Sequence, residues 1–78
     1  MIKIPYADCH GTLSVEVRLK NTADVFLVDS ANYRKYQNHQ DFTYFGGHYT
    51  QTPVQITVSG NGRWYLIVVG SDYEYRFF

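Results

Sequence analysis

The chain has 78 residues, which predicts a single domain over residues 1–78. Its seven basic and seven acidic residues balance without a cluster of either sign, which argues against a nucleic-acid-binding protein. The single cysteine excludes an internal disulfide, and no cysteine–histidine spacing matches a zinc site, so we expect neither a metal nor a cofactor.

The sequence also lacks the patterns of membrane and secreted proteins. No apolar run approaches the roughly 20 residues of a membrane-spanning helix. Residues 1–8 lack the apolar h-region of a secretory signal. We therefore expect a cytoplasmic protein without a membrane partner, and the unpaired thiol of Cys9 is consistent with that location.

The first half of the chain is dominated by a period of two, which is typical of strands. Apolar and polar residues alternate over residues 13–20, and this predicts a strand with one buried face. Residues 23–29 are more continuously apolar and predict a more central strand. Ser30 is predicted to cap a short helix over residues 31–37, because its hydroxyl can accept a hydrogen bond from the first turn.

The second half predicts further short strands separated by turns. Residues 42–49 read as a strand interrupted by glycines, and residues 54–58 alternate in the manner of a strand with one buried face. The Ser-Gly-Asn-Gly segment 59–62 predicts a hairpin turn. Residues 64–69 have no polar face, as expected of a strand covered on both sides, and residues 72–77 alternate again.

Together these signals indicate an all-β domain of six to seven strands. We expect either a small antiparallel β-sandwich of the jelly-roll type or a compact barrel, with one short helix or helical turn near residues 31–37. Fold alone does not fix function.

The segment Tyr44-Phe45-Gly46-Gly47-His48-Tyr49 is the candidate functional site. Two adjacent glycines in a strand usually mark a bulge or the close approach of another backbone. In one interpretation the glycines admit a ligand or a peptide backbone, while Tyr44, His48 and Tyr49 stack and donate hydrogen bonds. In the other, the segment is a β-bulge that lets aromatic side chains of adjacent strands pack.

The chain is rich in aromatic residues, with eight tyrosines, five phenylalanines and one tryptophan. Tyrosine has an apolar face and a polar tip, which suits both half-buried sheets and contact surfaces. The helical tyrosines Tyr33 and Tyr36 are three residues apart and would share a face. We therefore predict a recognition module that binds a protein or a small ligand through an aromatic face formed by Tyr33, Tyr36, Tyr44, His48 and Tyr49, with Gly46 and Gly47 between them.

Other reactive residue types have simpler explanations. Cys9 and His10 are neighbours, and neighbours in an extended segment point to opposite faces, so no catalytic thiol is expected. His39, Asp41 and His48 are types that bind metals, but their spacing matches no established site. With no nucleophile–base pair, paired carboxylates or cofactor fingerprint, we do not expect an enzyme.

The residues Asp29, Ser30 and Asn32 stand where a strand gives way to the helix. A helix cap and a turn are the simpler explanation of these types, and ligand contact is the alternative.

Three segments resemble a known family. They are the apolar strand with Asp-Ser and Asn-Tyr over residues 25–33, the Tyr-Phe-Gly-Gly-His-Tyr segment with the later Pro53-Val54, and the strand that begins Gly62-Arg63-Trp64. In this order they resemble the bacterial domain of unknown function 1883. The resemblance implies a short β-rich domain, alone or fused to modules such as TIR domains, with an accessory or recognition role and no catalytic residues to transfer.

Two further hypotheses remain open. A chain this small without disulfide or metal is a candidate for a homo-oligomer whose strand edges are buried against its own copies. The TIR association suggests a weaker alternative, a regulator or sequestering protein in bacterial or phage immune signalling. A nucleotide-like signal would need cations for its phosphates, and the nearest candidates are Arg34, Lys35 and Arg63.

Overall fold

A computed structural model describes residues 4–78 and confirms the predicted fold class, a mostly antiparallel sheet with one short helix. The elements in chain order are β1 (Tyr6–Leu19), β2 (Ala23–Asp29), α1 (Ser30–Gln37), β3 (Phe45–Tyr49), β4 (Val54–Val69) and β5 (Tyr73–Phe77). The strands form one sheet in the order β3-β2-β4-β1-β5, and every neighbouring pair is antiparallel.

The predicted hairpin turn at residues 59–62 is wrong, because these residues lie inside the long strand β4. They face residues 9–12 of β1 in an unbroken register, with Gly60 opposite Gly11. Both glycines have a positive φ, 104° at Gly11 and 125° at Gly60, which residues with a side chain rarely adopt. Two predicted strands are thus one, and within residues 4–78 the sheet has five strands instead of six or seven.

Bending of β4 is required by the dimensions of the molecule. A straight strand of this length would measure about 53 Å at the usual rise per residue. The largest extent of the described chain is 30 Å. The sheet therefore curls, and β4 pairs with β1 along its first part and with β2 along its last part.

The hydrophobic core lies on the inner face of the curled sheet. Its fully buried members come from β1, β2 and β4, and include Val15, Val17, Val25, Leu27 and Leu66. At the border of the core, half-buried aromatic side chains pack against it, namely Tyr49, Trp64, Tyr73 and Phe77. The predicted covering of residues 64–69 on both faces is confirmed at the centre of that segment, where the adjacent Leu66 and Ile67 are both buried.

The helix lies against β2 and β4, and its cap differs from the predicted one. Asp29, the residue before the helix, has an extended backbone, and its carboxylate accepts the backbone N–H of Asn32 at 2.9 Å. Asp29 is therefore the N-cap, and Ser30 is the first helical residue, with its hydroxyl 3.4 Å from the carbonyl oxygen of Arg63. No helix within residues 4–78 is long and apolar enough to span a membrane.

The helix ends at Gln37, and His39, two residues later, has a left-handed backbone. His39 has a φ of 57°. The N–H of His39 donates to the carbonyl of Tyr36, and the N–H of Gln40 donates to the carbonyl of Lys35. These two bonds form a Schellman motif, which satisfies carbonyl groups at the end of the helix. His39 is thus the residue at which the chain changes direction after the helix.

Candidate functional site

The segment singled out in the sequence forms β3, at one edge of the sheet. It pairs with β2 residue for residue, from Ala23 opposite Tyr49 to Leu27 opposite Phe45. A bulge would place two residues of one strand opposite one of the other. The register shows no such extra residue, so the predicted β-bulge is wrong. The strand also begins at Phe45, three residues later than predicted.

Gly46 is required by the close approach of β3 to β2. Its φ of 136° is rarely adopted by residues with a side chain. A Cβ atom added at this position would lie 2.0 Å from the carbonyl oxygen of Val25. At Gly47, by contrast, an added Cβ would meet nothing within 4 Å. The first glycine therefore serves packing, and the second leaves open space beside the strand.

The alternation of β3 divides the predicted site residues between two faces. His48 lies opposite Asp24 on the face that carries the helix. Tyr49 lies on the core face, where it is half-buried against the hydrophobic core. Phe45 is also on the core face, but it is 50% exposed. The structure therefore does not gather all of the predicted tyrosines into one aromatic face.

A smaller aromatic group does form on the helix side of the sheet. It consists of Phe26, Tyr36, Phe42 and Tyr44, which we call the helix-side patch. Its ring centroids are 4.5 Å apart between Phe26 and Tyr44, 5.4 Å between Tyr36 and Phe42, and 5.6 Å between Phe42 and Tyr44. Tyr44 keeps 45% of its surface exposed, so the patch is accessible at its β3 end.

The loop that carries Phe42 and Tyr44 is tied to the helix by Asn32. The Asn32 side-chain oxygen accepts the backbone N–H of Thr43 at 2.8 Å, and its amide nitrogen donates to Asp29 at 2.9 Å. The Asp29 carboxylate thus caps the helix, and it also holds the Asn32 side chain, which anchors the loop. The Asp-Ser-x-Asn pattern of the sequence accordingly positions the helix-side patch. Asp29 and Asn32 therefore have the capping role expected from these residue types, rather than the alternative role in ligand contact.

His48 forms a pair with Asp24 across the two strands. Its Nδ1 lies 2.9 Å from Oδ1 of Asp24, with 61% and 45% of the two side chains exposed. Exposed ion pairs contribute little to stability, typically below about 1 kcal/mol. The pair therefore provides polar groups next to the aromatic residues at the sheet edge, without being needed to hold the fold together.

Tyr33 belongs to a different aromatic group from Tyr36. Its ring stacks on that of Tyr65 at 4.0 Å, and Tyr65 in turn lies 6.0 Å from Tyr6. The guanidinium of Arg63 lies 4.4 Å from the centre of the Tyr6 ring, and its Nε donates to Asp8 at 3.1 Å. The hydrogen bond to Asp8 raises the pKa of Arg63 above its usual value. Arg63 is thus engaged away from β3.

The cysteine and the histidines, which are residue types that can bind metals or act in catalysis, each have a defined place in the described part of the chain. Cys9 is buried in the core, where its thiol donates to the carbonyl of Gly60 at 3.0 Å, while His10 is exposed. Among residues 4–78, no group of three or more His, Cys, Asp or Glu side chains is arranged to hold a metal ion. His39 reverses the chain after the helix, and His48 pairs with Asp24.

Sequence reasoning misses two residues that build this edge, Asp24 and Phe26, and it does not predict that Asn32 anchors the loop. The first two could have been found, because alternation along residues 23–29 places them together on the face opposite Val25. The role of Asn32 depends on a loop that returns to it eleven residues later. No local pattern in the sequence predicts that this loop comes back to the helix.

The comparisons with known proteins confirm the family that the sequence resembles. A family model described as "Domain of unknown function (DUF1883)" matches residues 8–74, which include β2, α1, β3 and β4, nearly all of β1 and the first two residues of β5. No curated protein and no solved structure matches the chain.

Proposed function

The chain belongs to the DUF1883 family, and we propose that it is a non-enzymatic recognition module that binds an extended segment of a partner protein along β3. The bound segment would add a sixth strand next to β3, in the mode known as β-augmentation. Main-chain hydrogen bonds would supply affinity, and side chains next to the edge would supply specificity.

The observation that carries the proposal is the exposed edge of β3. Strand β3 is the last strand of the sheet, and no segment within residues 4–78 pairs with its outer edge. An edge strand presents unpaired N–H and C=O groups to a visiting chain. The two adjacent glycines leave the middle of this edge without side chains, so that another backbone can approach it closely.

Exposed aromatic side chains lie on both faces of the sheet at this edge. Tyr44, with the helix-side patch behind it, lies on one face, and Phe45 lies on the other, where its ring is 5.8 Å from that of Trp64. Successive side chains of an added strand point to opposite faces. Alternate residues of a bound peptide would therefore meet Tyr44 on one side and Phe45 on the other.

The pair of His48 and Asp24 gives this site a polar end. Both side chains are on the helix side, and Asp24 keeps nearly half of its surface exposed. A peptide side chain that donates a hydrogen bond can reach that carboxylate without displacing a buried group. We therefore expect the preferred peptides to combine an apolar or aromatic residue with a hydrogen-bond donor on the same face. A cytoplasmic location, where Cys9 stays reduced, is part of this proposal.

The test is a selection of phage-displayed random peptides on the purified protein, followed by affinity measurements with a synthetic peptide of the selected sequence. We expect Tyr44→Ala to weaken binding about tenfold or more, because exposed aromatic anchors dominate interface energies. His48→Ala should weaken it less, since the histidine contributes polar contacts alone.

Tyr75→Ala is the matched control, because Tyr75 is a similarly exposed tyrosine (49%) on the strand at the opposite edge of the sheet. The Tyr75→Ala variant should bind the peptide with the same affinity as the unmodified protein. Selected peptides that bind the Tyr44→Ala variant as tightly as the unmodified protein would contradict the proposed site.

A further inference from the structure

We propose that β5 is a self-pairing edge, at which two copies of the chain join antiparallel about a twofold axis through Tyr75 and form one continuous sheet. This proposal is independent of the peptide site, because β5 and β3 lie at opposite ends of the strand order. Either proposal can fail while the other stands.

Along β5, residues whose backbone groups bond to β1 alternate with residues whose backbone groups point outward. Ser14 and Phe78 exchange both of their backbone hydrogen bonds, each at 2.9 Å, and Lys20 donates to the carbonyl of Asp72. In an antiparallel ladder such pairs recur at every second residue. The even-numbered residues 74 and 76 therefore bond to β1, and Tyr73, Tyr75 and Phe77 direct their N–H and C=O groups outward. No segment within residues 4–78 pairs with those outward groups.

The charge pattern of β5, Tyr73-Glu74-Tyr75-Arg76-Phe77, complements itself in an antiparallel pair. In a twofold pairing centred on Tyr75, Glu74 lies directly opposite Arg76 of the partner subunit, and Arg76 lies opposite Glu74 of the partner subunit. All outward groups of the strand then find partners. A pairing centred on Glu74 or on Arg76 instead places like charges opposite each other, which is destabilising. The sequence of this strand thus selects one register with a second copy.

The charges of β1 extend the same pattern across the sheet. Arg18 lies opposite Glu74, and Glu16 lies opposite Arg76, where the carboxylate and guanidinium are 3.4 Å apart. In the proposed dimer, a row of four charged side chains would therefore cross the junction. It would consist of Arg18 and Glu74 of one subunit, followed by Arg76 of the partner subunit and Glu16 of the partner subunit. Each charge in that row has only opposite charges beside it, and a β3–β3 pairing offers no such row.

The aromatic side chains on the other face of β5 favour the same pairing. Tyr73, Tyr75 and Phe77 form a row with ring separations of 6.1 Å and 5.7 Å. Tyr75, at the centre of the proposed axis, keeps 49% of its surface exposed. A groove of about 420 Å³ lies beside Tyr73 and Tyr75, bordered by residues 4–6, and leaves space next to the edge. Pairing would place Tyr75 against its own copy and continue the aromatic row across the junction.

The experiment is analytical ultracentrifugation of the full chain and two charge variants. We expect the unmodified protein to dimerise, and E74R and R76E each to dimerise about tenfold or more weakly, because each puts two pairs of like charges across the axis. An equimolar mixture of E74R and R76E should recover association, since one chain is then positive at both positions and the other negative at both.

The mixture controls for effects within one chain, because E74R also meets Arg18 and R76E also meets Glu16 in the monomer. Circular dichroism of each variant verifies that the sheet is intact before mixing. The proposal is overturned by an unmodified protein that stays monomeric at micromolar concentration. It is equally overturned by a dimer that tolerates both charge reversals, or by a mixture that associates no better than either variant alone.

Discussion

At the scale of single residues, Gly46 determines how closely β3 approaches β2. Gly46 and Gly47 both have positive φ, so replacing either by alanine strains the backbone. Only at Gly46 does the new Cβ also collide with the Val25 carbonyl. We therefore expect Gly46→Ala to lower the free energy of unfolding by about 3 kcal/mol, and by clearly more than Gly47→Ala. Urea denaturation of both variants measures their free energies of unfolding. Equal losses of stability in the two variants would contradict a collision between the Cβ at position 46 and the Val25 carbonyl.

The helix cap provides a second residue-scale prediction. Asp29→Ala removes the acceptor for the Asn32 N–H and should lower the free energy of unfolding by about 1 kcal/mol. Ser30→Ala is the neighbouring control and should change stability by less than half as much, because Ser30 is exposed and already helical. Thermal melts monitored by circular dichroism compare the two. A larger loss from Ser30→Ala would restore serine as the cap.

At the scale of elements, the loop between α1 and β3 depends on one side chain of the helix. Asn32→Ala removes the acceptor for the Thr43 N–H and should cost about 1 kcal/mol. Hydrogen exchange at the Thr43 amide should become faster, while exchange in the core of β4 is unchanged. Lys35→Ala, at an exposed position of the same helix, is the control. Unchanged exchange at Thr43 in the Asn32→Ala variant would mean that the loop is held by its aromatic contacts instead.

The elements also show where sequence patterns suffice and where they fail. Alternation of apolar and polar residues correctly predicts the second half of β1, the first part of β4 and β5, because alternation is a local property of any half-buried strand. The more continuously apolar run 23–29 correctly predicts β2. The Ser-Gly-Asn-Gly segment 59–62 was misread, since glycine permits both a tight turn and a bent strand. Which of the two forms is decided by the partner strand, and Gly11 is 49 residues away in the sequence.

The candidate site was predictable only in part for the same reason. The segment from Tyr44 to Tyr49 was recognised from its unusual glycines, and it does form an edge strand. Which of its side chains share a face follows from the pairing with β2, and this pairing separates His48 from Tyr49. The helix-side patch also includes Phe26, which no local pattern connects to Tyr44.

At the scale of the whole molecule, residues 4–78 form one curled sheet with a single helix, and the two edges of this sheet differ in character. The β3 edge carries adjacent glycines flanked by exposed aromatic residues, which suits a foreign backbone. The β5 edge carries alternating opposite charges in a self-complementary order, which suits a second copy. A chain of this size gains stability when such edges are covered, because a small domain buries a limited fraction of its surface.

The proposed function depends most directly on where a peptide binds. The decisive measurement is the two-dimensional ¹⁵N–¹H NMR spectrum of the protein, titrated with a peptide selected on it, together with amide exchange rates in the complex. We expect the largest shift changes in Phe45–Tyr49 and Tyr44, and slowed exchange at β3 amides that face outward. Shift changes confined to β5 or to the Tyr6 side of the sheet, with β3 unaltered, would contradict the proposed function.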